Sequence, residues 1–159
     1  VTVMAIDTTP GVHTKPDKEP KASKNMQIHG TNAFMVELPS DPGTYLGIGH
    51  FHRPTGRDAN DYARFGHHYT HLFYTVKQGR LTGLSSEFVF ESKYYPNDAE
   101  IIQFASGLEY DYTSNQLIIG YGINDCEGAI TSIDLRSVKE LLRPVPKGKQ
   151  VRDLMKYLS

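Results

Sequence analysis

The sequence predicts an all-β protein made of antiparallel, blade-like sheets, followed by a short helix near the C-terminal end. Between residues 99 and 135, three runs rich in β-branched and aromatic residues are separated by turn residues. Between residues 32 and 91, a second group of runs shows a similar alternation of apolar and polar residues. Runs of this length joined by short turns form antiparallel hairpins, so each group is expected to form one sheet.

The C-terminal group is divided by turn chemistry at Thr113-Ser114-Asn115 and at Asn124-Asp125. Its expected strands are residues 101–105 continuing through 108–112, then 116–122, then 129–135. Ser137 and Glu140 follow at the spacing of a capping box, ahead of two leucines. A short helix is therefore expected over residues 137–143.

The N-terminal group contains two further hairpins. Its expected strands are residues 32–38, 44–51, 72–77 and 80–84, with residues 88–91 as an outer strand. Gln78-Gly79 supplies the tight turn of the second hairpin. A polar insertion, residues 54–66, separates the two hairpins. Loops of that length in a compact sheet are often functional, because the scaffold holds them at one end of the strands.

The same patterns divide the chain into an extended N-terminal arm (residues 1–26), the sheets (residues 27–143) and a C-terminal tail (residues 144–159). The arm alternates prolines with charged residues and cannot bury enough apolar surface to order itself. It is either a flexible linker or, through the apolar residues 1–6, an interaction segment that adds a strand to a partner. Whether residues 151–158 of the tail form a helix is a question that the sequence leaves open.

The composition is that of a soluble protein, and 159 residues fit one domain. The formal net charge is −1, from 17 basic and 18 acidic side chains. This balance argues against a dedicated nucleic-acid binder, because phosphate contacts need a concentrated basic surface. No apolar run approaches the roughly 18 residues that a membrane-spanning helix needs. The single cysteine, Cys126, cannot form an intrachain disulfide and leaves the cellular compartment unassigned.

Two motifs in the C-terminal group carry a family resemblance. Phe104-Ala105-Ser106-Gly107-Leu108 is followed by a strand that ends in Tyr121-Gly122-Ile123-Asn124-Asp125, then by a strand of small residues and a helix that ends in two leucines. This order of parts resembles the last blade of the five-bladed β-propellers of glycoside hydrolase family 130, the mannoside phosphorylases and hydrolases. It is similar, still more closely, to propeller domains fused to glycosyltransferases.

The resemblance extends back over residues 27–143, through a turn at His29-Gly30-Thr31-Asn32, a strand end at Gly49-His50-Phe51-His52 and a strand start at His68-Tyr69-Thr70-His71. It implies a partial five-bladed propeller. A four-stranded blade takes roughly 40–50 residues and a closed ring needs about four to eight blades, so this chain supplies about two. The remaining blades, or a partner chain, are expected to cover the sheet faces and edges that two blades leave open.

The sequence departs from the family in two ways. The turn lacks the second glycine, and the family's catalytic aspartate, which an earlier blade carries, has no counterpart here. The resemblance therefore implies the C-terminal part of a phosphorylase- or hydrolase-like, or glycosyltransferase-associated, sugar-binding domain for mannoside-like carbohydrates. It implies no catalytic residue in this chain, and whether the whole protein is an enzyme stays open. The alternative is a non-catalytic structural subunit of a larger protein assembly.

The resemblance and the histidine pattern together predict a substrate-binding group at the strand ends. Its residues are His50, His52, Arg53, His68, Tyr121 and Asp125. In the family, the aspartate of the Tyr-Gly-x-x-Asp motif accepts hydrogen bonds from sugar hydroxyls, which is the role implied for Asp125. A second interpretation stays open, in which Asn124-Asp125 is a turn and the Asp125 side chain caps the backbone two residues on.

The histidines also raise the question of a metal. His50 and His52 point to the same side of one strand, and His67, His68 and His71 cluster at the start of the next. Two imidazoles at that spacing can bind zinc, but no cysteine or carboxylate stands at a recognisable ligand spacing. Neither a metal nor a cofactor is therefore predicted. Structural histidines that hydrogen-bond loop carbonyls are the alternative to sugar binding.

Overall fold

The computed structural model describes residues 28–31, 33–52, 69–90 and 102–145, which form two antiparallel sheets and one short helix. The first sheet contains β1 (Ile28–Gly30), β2 (Val36–Glu37), β3 (Thr44–His52), β4 (Tyr69–Lys77), β5 (Arg80–Leu84) and β9 (Arg143–Pro144). The second sheet contains β6 (Gln103–Asp111), β7 (Gln116–Ile123) and β8 (Glu127–Asp134). Helix α1 (Leu135–Leu141) connects β8 to β9.

In the first sheet the strand order is β1-β3-β4-β5-β9, and β2 also pairs with β3. β3 and β4 pair along their whole lengths, so they are the two central strands of this sheet. Gln78 and Gly79 connect β4 to β5 with φ angles of 51° and 70°. Left-handed residues at both central positions suit a two-residue hairpin, because the twist of that turn matches the twist of the strands. The turn predicted at these residues is confirmed.

In the second sheet β7 is central and pairs with β6 and β8. Its side chains alternate along the strand: Leu117, Ile119, Tyr121 and Ile123 are buried, and the residues between them are half-buried. This period of two places one face of the sheet on a core. A bulge at Ser106 shifts the pairing of β6 with β7.

One hydrophobic core lies between the two sheets. Leu46, Ile48 and Phe73 of the first sheet belong to the same buried cluster as the inward side chains of β7, and Leu135 and Val138 of α1 join it. Burying each aliphatic or aromatic side chain of this kind contributes roughly 1.5–3 kcal/mol. The shared core therefore holds the sheets face to face.

A buried glutamine adds a polar connection between the sheets. The side-chain Oε1 of Gln103, at the start of β6, accepts a hydrogen bond from the Phe90 N–H at 2.8 Å, and its Nε2 donates to the Phe90 carbonyl. Phe90 belongs to the segment after β5, in which Phe88 pairs through its backbone with His71 of β4. The Gln103 amide thus satisfies both backbone hydrogen-bonding groups of Phe90, as a neighbouring strand would.

The predicted all-β class and the two antiparallel sheets are confirmed. The runs expected at 44–51, 80–84 and 116–122 correspond to β3, β5 and β7 to within one residue at each end. Among the described residues the sheets do not close into a ring. The propeller is therefore carried forward only as a proposal.

The predicted helix start is wrong. The helix begins at Leu135, and its N-cap is Asp134, whose Oδ1 accepts a hydrogen bond from the Arg136 N–H at 2.7 Å. Because this carboxylate satisfies a free N–H group of the first turn, the helix needs no cap at Ser137. Arg143, expected in the helix, instead pairs with Leu84 as the first residue of β9. In the described part of the chain, no helix has the length and apolar character needed to cross a membrane.

Among its described residues, the strand expected over 32–38 is reduced to β2 (Val36–Glu37), and β1 (Ile28–Gly30) lies before it in the chain. The hydroxyl of Thr31 donates to the Ile48 carbonyl at 3.1 Å and accepts from the Ala33 N–H at 3.2 Å, and this local turn separates β1 from β2. The outer strand expected over 88–91 is reduced to the bridge at Phe88. The expectations for residues 1–26, 54–66 and 151–158 lie outside the described residues.

Candidate functional site

Two histidines face each other across neighbouring strands of the first sheet. His50 near the end of β3 lies opposite His71 near the start of β4, with ring centroids 6.4 Å apart. Both side chains share the inward face with Ile48 and Phe73, because side chains alternate along a strand. His71 is fully buried, and 9% of His50 is exposed. The pair therefore lies at the edge of the core, where the two sheets meet.

The buried His71 joins the two sheets through a hydrogen bond. Its Nε2 accepts from the backbone N–H of Ala105 in β6 at 3.2 Å, so Nδ1 carries the proton of the neutral ring. Among the described residues Nδ1 has no hydrogen-bond partner. The rings of Phe88 and Phe90 lie 6.1 and 4.7 Å away. Burial, with a smaller effect of His50, lowers the pKa of His71 from 6.5 to about 3, so the ring is neutral near pH 7.

His50, which is also buried, packs among aromatic rings. Its centroid lies 5.1 Å from that of Phe104 in β6 and 5.3 Å from that of Tyr69 in β4. Phe104 itself is half-buried. An imidazole beside a half-buried aromatic ring places a polar group and an apolar surface next to each other, a combination that is common in small-molecule sites.

Asp125 lies in the tight turn between β7 and β8. Asn124 and Asp125 have φ angles of 51° and 53°, and the Cys126 N–H donates to the Ile123 carbonyl at 3.1 Å. Two left-handed residues closed by this hydrogen bond form the hairpin turn that Asn, Asp and Gly favour. The Asp125 side chain is exposed.

The side chain that fixes this turn is that of Asn124. The Asn124 N–H donates to the Ile102 carbonyl at 2.8 Å, and the Ile102 N–H donates to Asn124 Oδ1 at 2.8 Å. This reciprocal pair attaches the turn to the start of β6. Asn124-Asp125 therefore forms a turn that Asn124 holds in place, and the Asp125 carboxylate, which was expected to cap the backbone under the turn interpretation, is exposed to solvent.

The β7–β8 turn and His50 lie at the same end of the two sheets. Ile102 bonds to the turn, Phe104 contacts His50, and Gln103 alone separates them along the chain. Two residues of an extended strand cover about 7 Å. We define this group (His50, Phe104, Asn124 and Asp125) as the strand-end site.

The other predicted site residues are placed differently. Tyr121 is 2% exposed, and its ring stacks on Phe90 with centroids 4.3 Å apart, so it supports the core beneath the strand-end site. His52 ends β3, where its backbone pairs with Tyr69. Arg53 and His68 lie outside the described residues.

Sequence reasoning missed two residues of this region. In the sequence, Phe104 stands out only as part of a motif. Gln103 lies within an expected strand with nothing to mark it, although it is fully buried and bonded to Phe90. The one signal for Gln103 is that a polar side chain lies on the same face of the strand as the buried Ala105, two residues on. Among the described residues no group of three or more His, Cys, Asp or Glu side chains could hold a metal ion.

Comparison with known proteins adds no relative. No family model, curated protein or solved structure matches the chain. The resemblance to the family 130 propellers therefore stays a prediction from the sequence motifs.

Proposed function

We propose that this chain is the C-terminal part of a carbohydrate-binding β-propeller, related to glycoside phosphorylases and hydrolases or to glycosyltransferase-associated domains. It binds a mannoside-like carbohydrate at the strand-end site and is not catalytic on its own. The observation that carries the proposal is the contact of Phe104 with His50, two residues from the hydrogen bonds that hold the Asn124-Asp125 turn.

The chemistry of the strand-end site suits a neutral sugar. The exposed Asp125 carboxylate offers two oxygens that can accept hydrogen bonds from adjacent hydroxyls, and Phe104 offers an apolar ring. The turn that carries Asp125 is held by Asn124, so the backbone of residue 125 is ordered before a ligand binds. An ordered backbone lowers the entropic cost of binding.

The remaining blades complete the proposed site. A ring of about two blades leaves the far wall of the sugar site open, and the resemblance assigns the catalytic acid to a blade with no counterpart in this sequence. The other blades come from residues outside 28–145 or from a partner chain. Under this proposal any bond-breaking chemistry belongs to that part of the assembly.

The substitution Asp125→Asn tests the proposal in the intact assembly. Asparagine tolerates the left-handed backbone as aspartate does, so the turn is kept while the charged acceptor is lost. Each lost hydrogen bond to a charged group is worth about 1.5–3 kcal/mol, which weakens mannoside binding by about ten- to a hundredfold. Calorimetric titration with mannosides measures the affinity, and thermal melts check the fold.

Glu109→Gln is the matched control, because Glu109 is an exposed carboxylate on β6, away from the β7–β8 turn. It is expected to leave the affinity unchanged. Equal affinity for the two variants would remove Asp125 from the site. A wild-type assembly that binds no mannoside would favour the alternative, a non-catalytic structural subunit.

A further inference from the structure

Tyr112 lies in the turn that connects β6 to β7, and its ring is largely exposed to solvent. The exposed fraction of this residue is 76%. A single exposed aromatic residue is common on protein surfaces. The surroundings of Tyr112 distinguish it from an ordinary surface residue, because they hold the ring in place and put polar side chains beside it.

The Tyr112 ring is held by a second tyrosine. Its centroid lies 4.6 Å from that of Tyr110, and the two rings meet edge to face at an interplanar angle of 72°. Tyr110 packs against the core between the sheets, and its hydroxyl donates to Asn115 Oδ1 at 2.8 Å. Tyr112 therefore presents its ring from a fixed support and not from a freely rotating side chain.

Hydrogen bonds at both ends order the turn. At one end, the Asp111 carboxylate accepts from the Thr113 N–H at 2.8 Å and from the Ser114 hydroxyl at 2.6 Å. At the other end, the Asn115 carbonyl accepts from the N–H of the first residue of α1 at 3.1 Å. The backbone that carries Tyr112 is thus ordered before a ligand binds, which lowers the entropic cost of binding.

Three strand ends meet beside this turn. Asp111 of β6, Gln116 of β7 and Asp134 of β8 lie in one row of the register. Asp134 Oδ2 accepts from Arg136 Nη2 at 2.9 Å, and Asp134 Oδ1 accepts from Arg136 Nε at 3.1 Å. Asn115 Nδ2 donates to the same Oδ1 at 3.4 Å. One hydrogen-bond network therefore connects the aromatic pair to a carboxylate and a guanidinium.

The polar side chains of this network keep hydrogen-bonding capacity that a ligand can use. The exposed Ser114 hydroxyl donates to Asp111 and retains its lone pairs. The Arg136 side chain is 81% exposed, and Asp134 takes only some of its five N–H donors. Donors and acceptors beside an open aromatic ring can bind the hydroxyl groups and the apolar face of a sugar ring.

The charges of the network favour a neutral ligand. The Arg136 guanidinium is compensated by its two contacts with Asp134, and Asp111 adds a second carboxylate. Two carboxylates and one guanidinium leave the surface net negative, so an anion such as a sugar phosphate would be repelled.

The arrangement of the rings favours a sugar over a proline-rich peptide. Such a peptide docks in a groove lined by exposed aromatic side chains. Here Tyr110 is half-buried and stands perpendicular to Tyr112, so only one ring is open to a ligand. A single open ring provides a platform for one sugar ring but no groove.

We propose that Tyr112, with Ser114, Asn115 and Arg136 beside it, binds a neutral oligosaccharide, one sugar ring of which stacks on Tyr112. We call this group the Tyr112 surface. It lies at the opposite end of β7 from the strand-end site, about 23 Å away at about 3.3 Å per residue. The inference does not rest on the function proposed for the strand-end site, because it uses none of the residues of that site.

Two single-tryptophan variants of the full chain test the proposal, since the sequence contains no tryptophan. Tyr112→Trp places the one indole at the Tyr112 surface and keeps an aromatic ring for the sugar. Phe34→Trp is the matched control, because Phe34 is an 86% exposed aromatic residue of the other sheet, just before β2. Titration with mannotetraose or cellotetraose is expected to change the emission of Tyr112→Trp saturably and to leave that of Phe34→Trp unchanged.

Calorimetric titration measures the contribution of the ring. Tyr112→Ala is expected to lower the affinity for the oligosaccharide that binds by about tenfold, and Phe34→Ala is expected to leave it unchanged. Both are compared in an Asp125→Asn background, which weakens the strand-end site and keeps the Tyr112 surface intact. The two sites can therefore fail or hold separately. Circular dichroism checks that each variant is folded.

Three results would overturn the proposal. The first is the absence of a saturable emission change in Tyr112→Trp with either oligosaccharide. The second is an equal change in Tyr112→Trp and Phe34→Trp, which would show that the sugars act on exposed indoles in general. The third is an emission change of Tyr112→Trp with a decaproline peptide and with neither oligosaccharide, which would assign the Tyr112 surface to a protein partner.

Discussion

Asp125 is the second central residue of a turn in which both central φ angles are positive. Glycine adopts that conformation without the steric cost of a Cβ atom, and Asn-Gly is the preferred pair for such hairpins. We expect Asp125→Gly to raise the free energy of unfolding by about 0.5–1 kcal/mol. Asp125→Ala is expected to lower it by about 1 kcal/mol, since alanine has neither the freedom of glycine nor a polar group for the turn. Urea unfolding of both variants measures the difference.

The two variants separate the structural role of residue 125 from its proposed sugar contact. Both remove the carboxylate, so both are expected to lose mannoside affinity while their stabilities move in opposite directions. If both variants were destabilised to the same extent, the carboxylate would have a structural role that the Asn124 hydrogen bonds do not account for.

The residues of the strand-end site were only partly predictable from the sequence. Asn124-Asp125 could be recognised as a turn because turn chemistry is local. The neighbours of His50 could not, because Phe104 is more than fifty positions away along the chain and reaches His50 only after the two sheets have packed. The pairing of His50 with His71 depends on the register between β3 and β4, which a sequence pattern does not fix.

At the scale of elements, the Gln103 side chain holds the segment after β5 against β6. Gln103→Met keeps the length of the side chain but leaves the Phe90 N–H and carbonyl without the bonds that Gln103 provides. Two buried backbone groups without partners cost about 2–4 kcal/mol. We expect a loss of that size in the free energy of unfolding, measured by urea denaturation.

Gln116→Met is the control for this substitution. Gln116, at the start of β7, is half-buried, and a methionine there can keep its contacts with solvent and sheet. Its stability is expected to stay within about 0.5 kcal/mol of the wild type. Equal effects of the two substitutions would show that the Gln103 amide contributes no more to stability than that of the half-buried Gln116.

Elements with regular alternation were predictable, and those controlled by a single side chain were not. β3 and β7 follow from period-two patterns. The helix start was missed because Asp134 ends a strand and caps the helix at once, so the strand pattern hides the cap. The break between β1 and β2 depends on the Thr31 hydroxyl, which nothing in the alternation reveals.

At the scale of the whole molecule, the two-sheet arrangement could be predicted but the contact between the sheets could not. Each group of strands forms a sheet with an apolar face that must be buried, and two such sheets can bury their apolar faces against each other. The propeller stays a proposal, because the described strands do not close into a ring. The sequence patterns therefore predict the two sheets but not how their remaining faces and edges are covered.

The contact between the sheets makes the stability of the molecule sensitive to acid. The pKa of His71 is about 3 in the folded chain, and an unfolded histidine has a pKa near 6.5. Between these pH values the unfolded chain binds a proton on residue 71 and the folded chain does not. The free energy of unfolding is therefore highest above about pH 6.5 and declines as the pH falls toward 3. At about pH 5 this group alone is expected to lower the free energy of unfolding by about 2 kcal/mol.

His71→Gln isolates this effect. The glutamine Oε1 can accept the hydrogen bond from the Ala105 N–H that His71 Nε2 accepts, and glutamine does not titrate. Urea unfolding of both proteins at about pH 7.5 and about pH 5 gives two pH dependences, and the wild type is expected to lose about 2 kcal/mol more than the variant. Parallel losses in the two proteins would contradict the prediction, because the acid sensitivity would then arise from groups other than the histidine that joins the sheets.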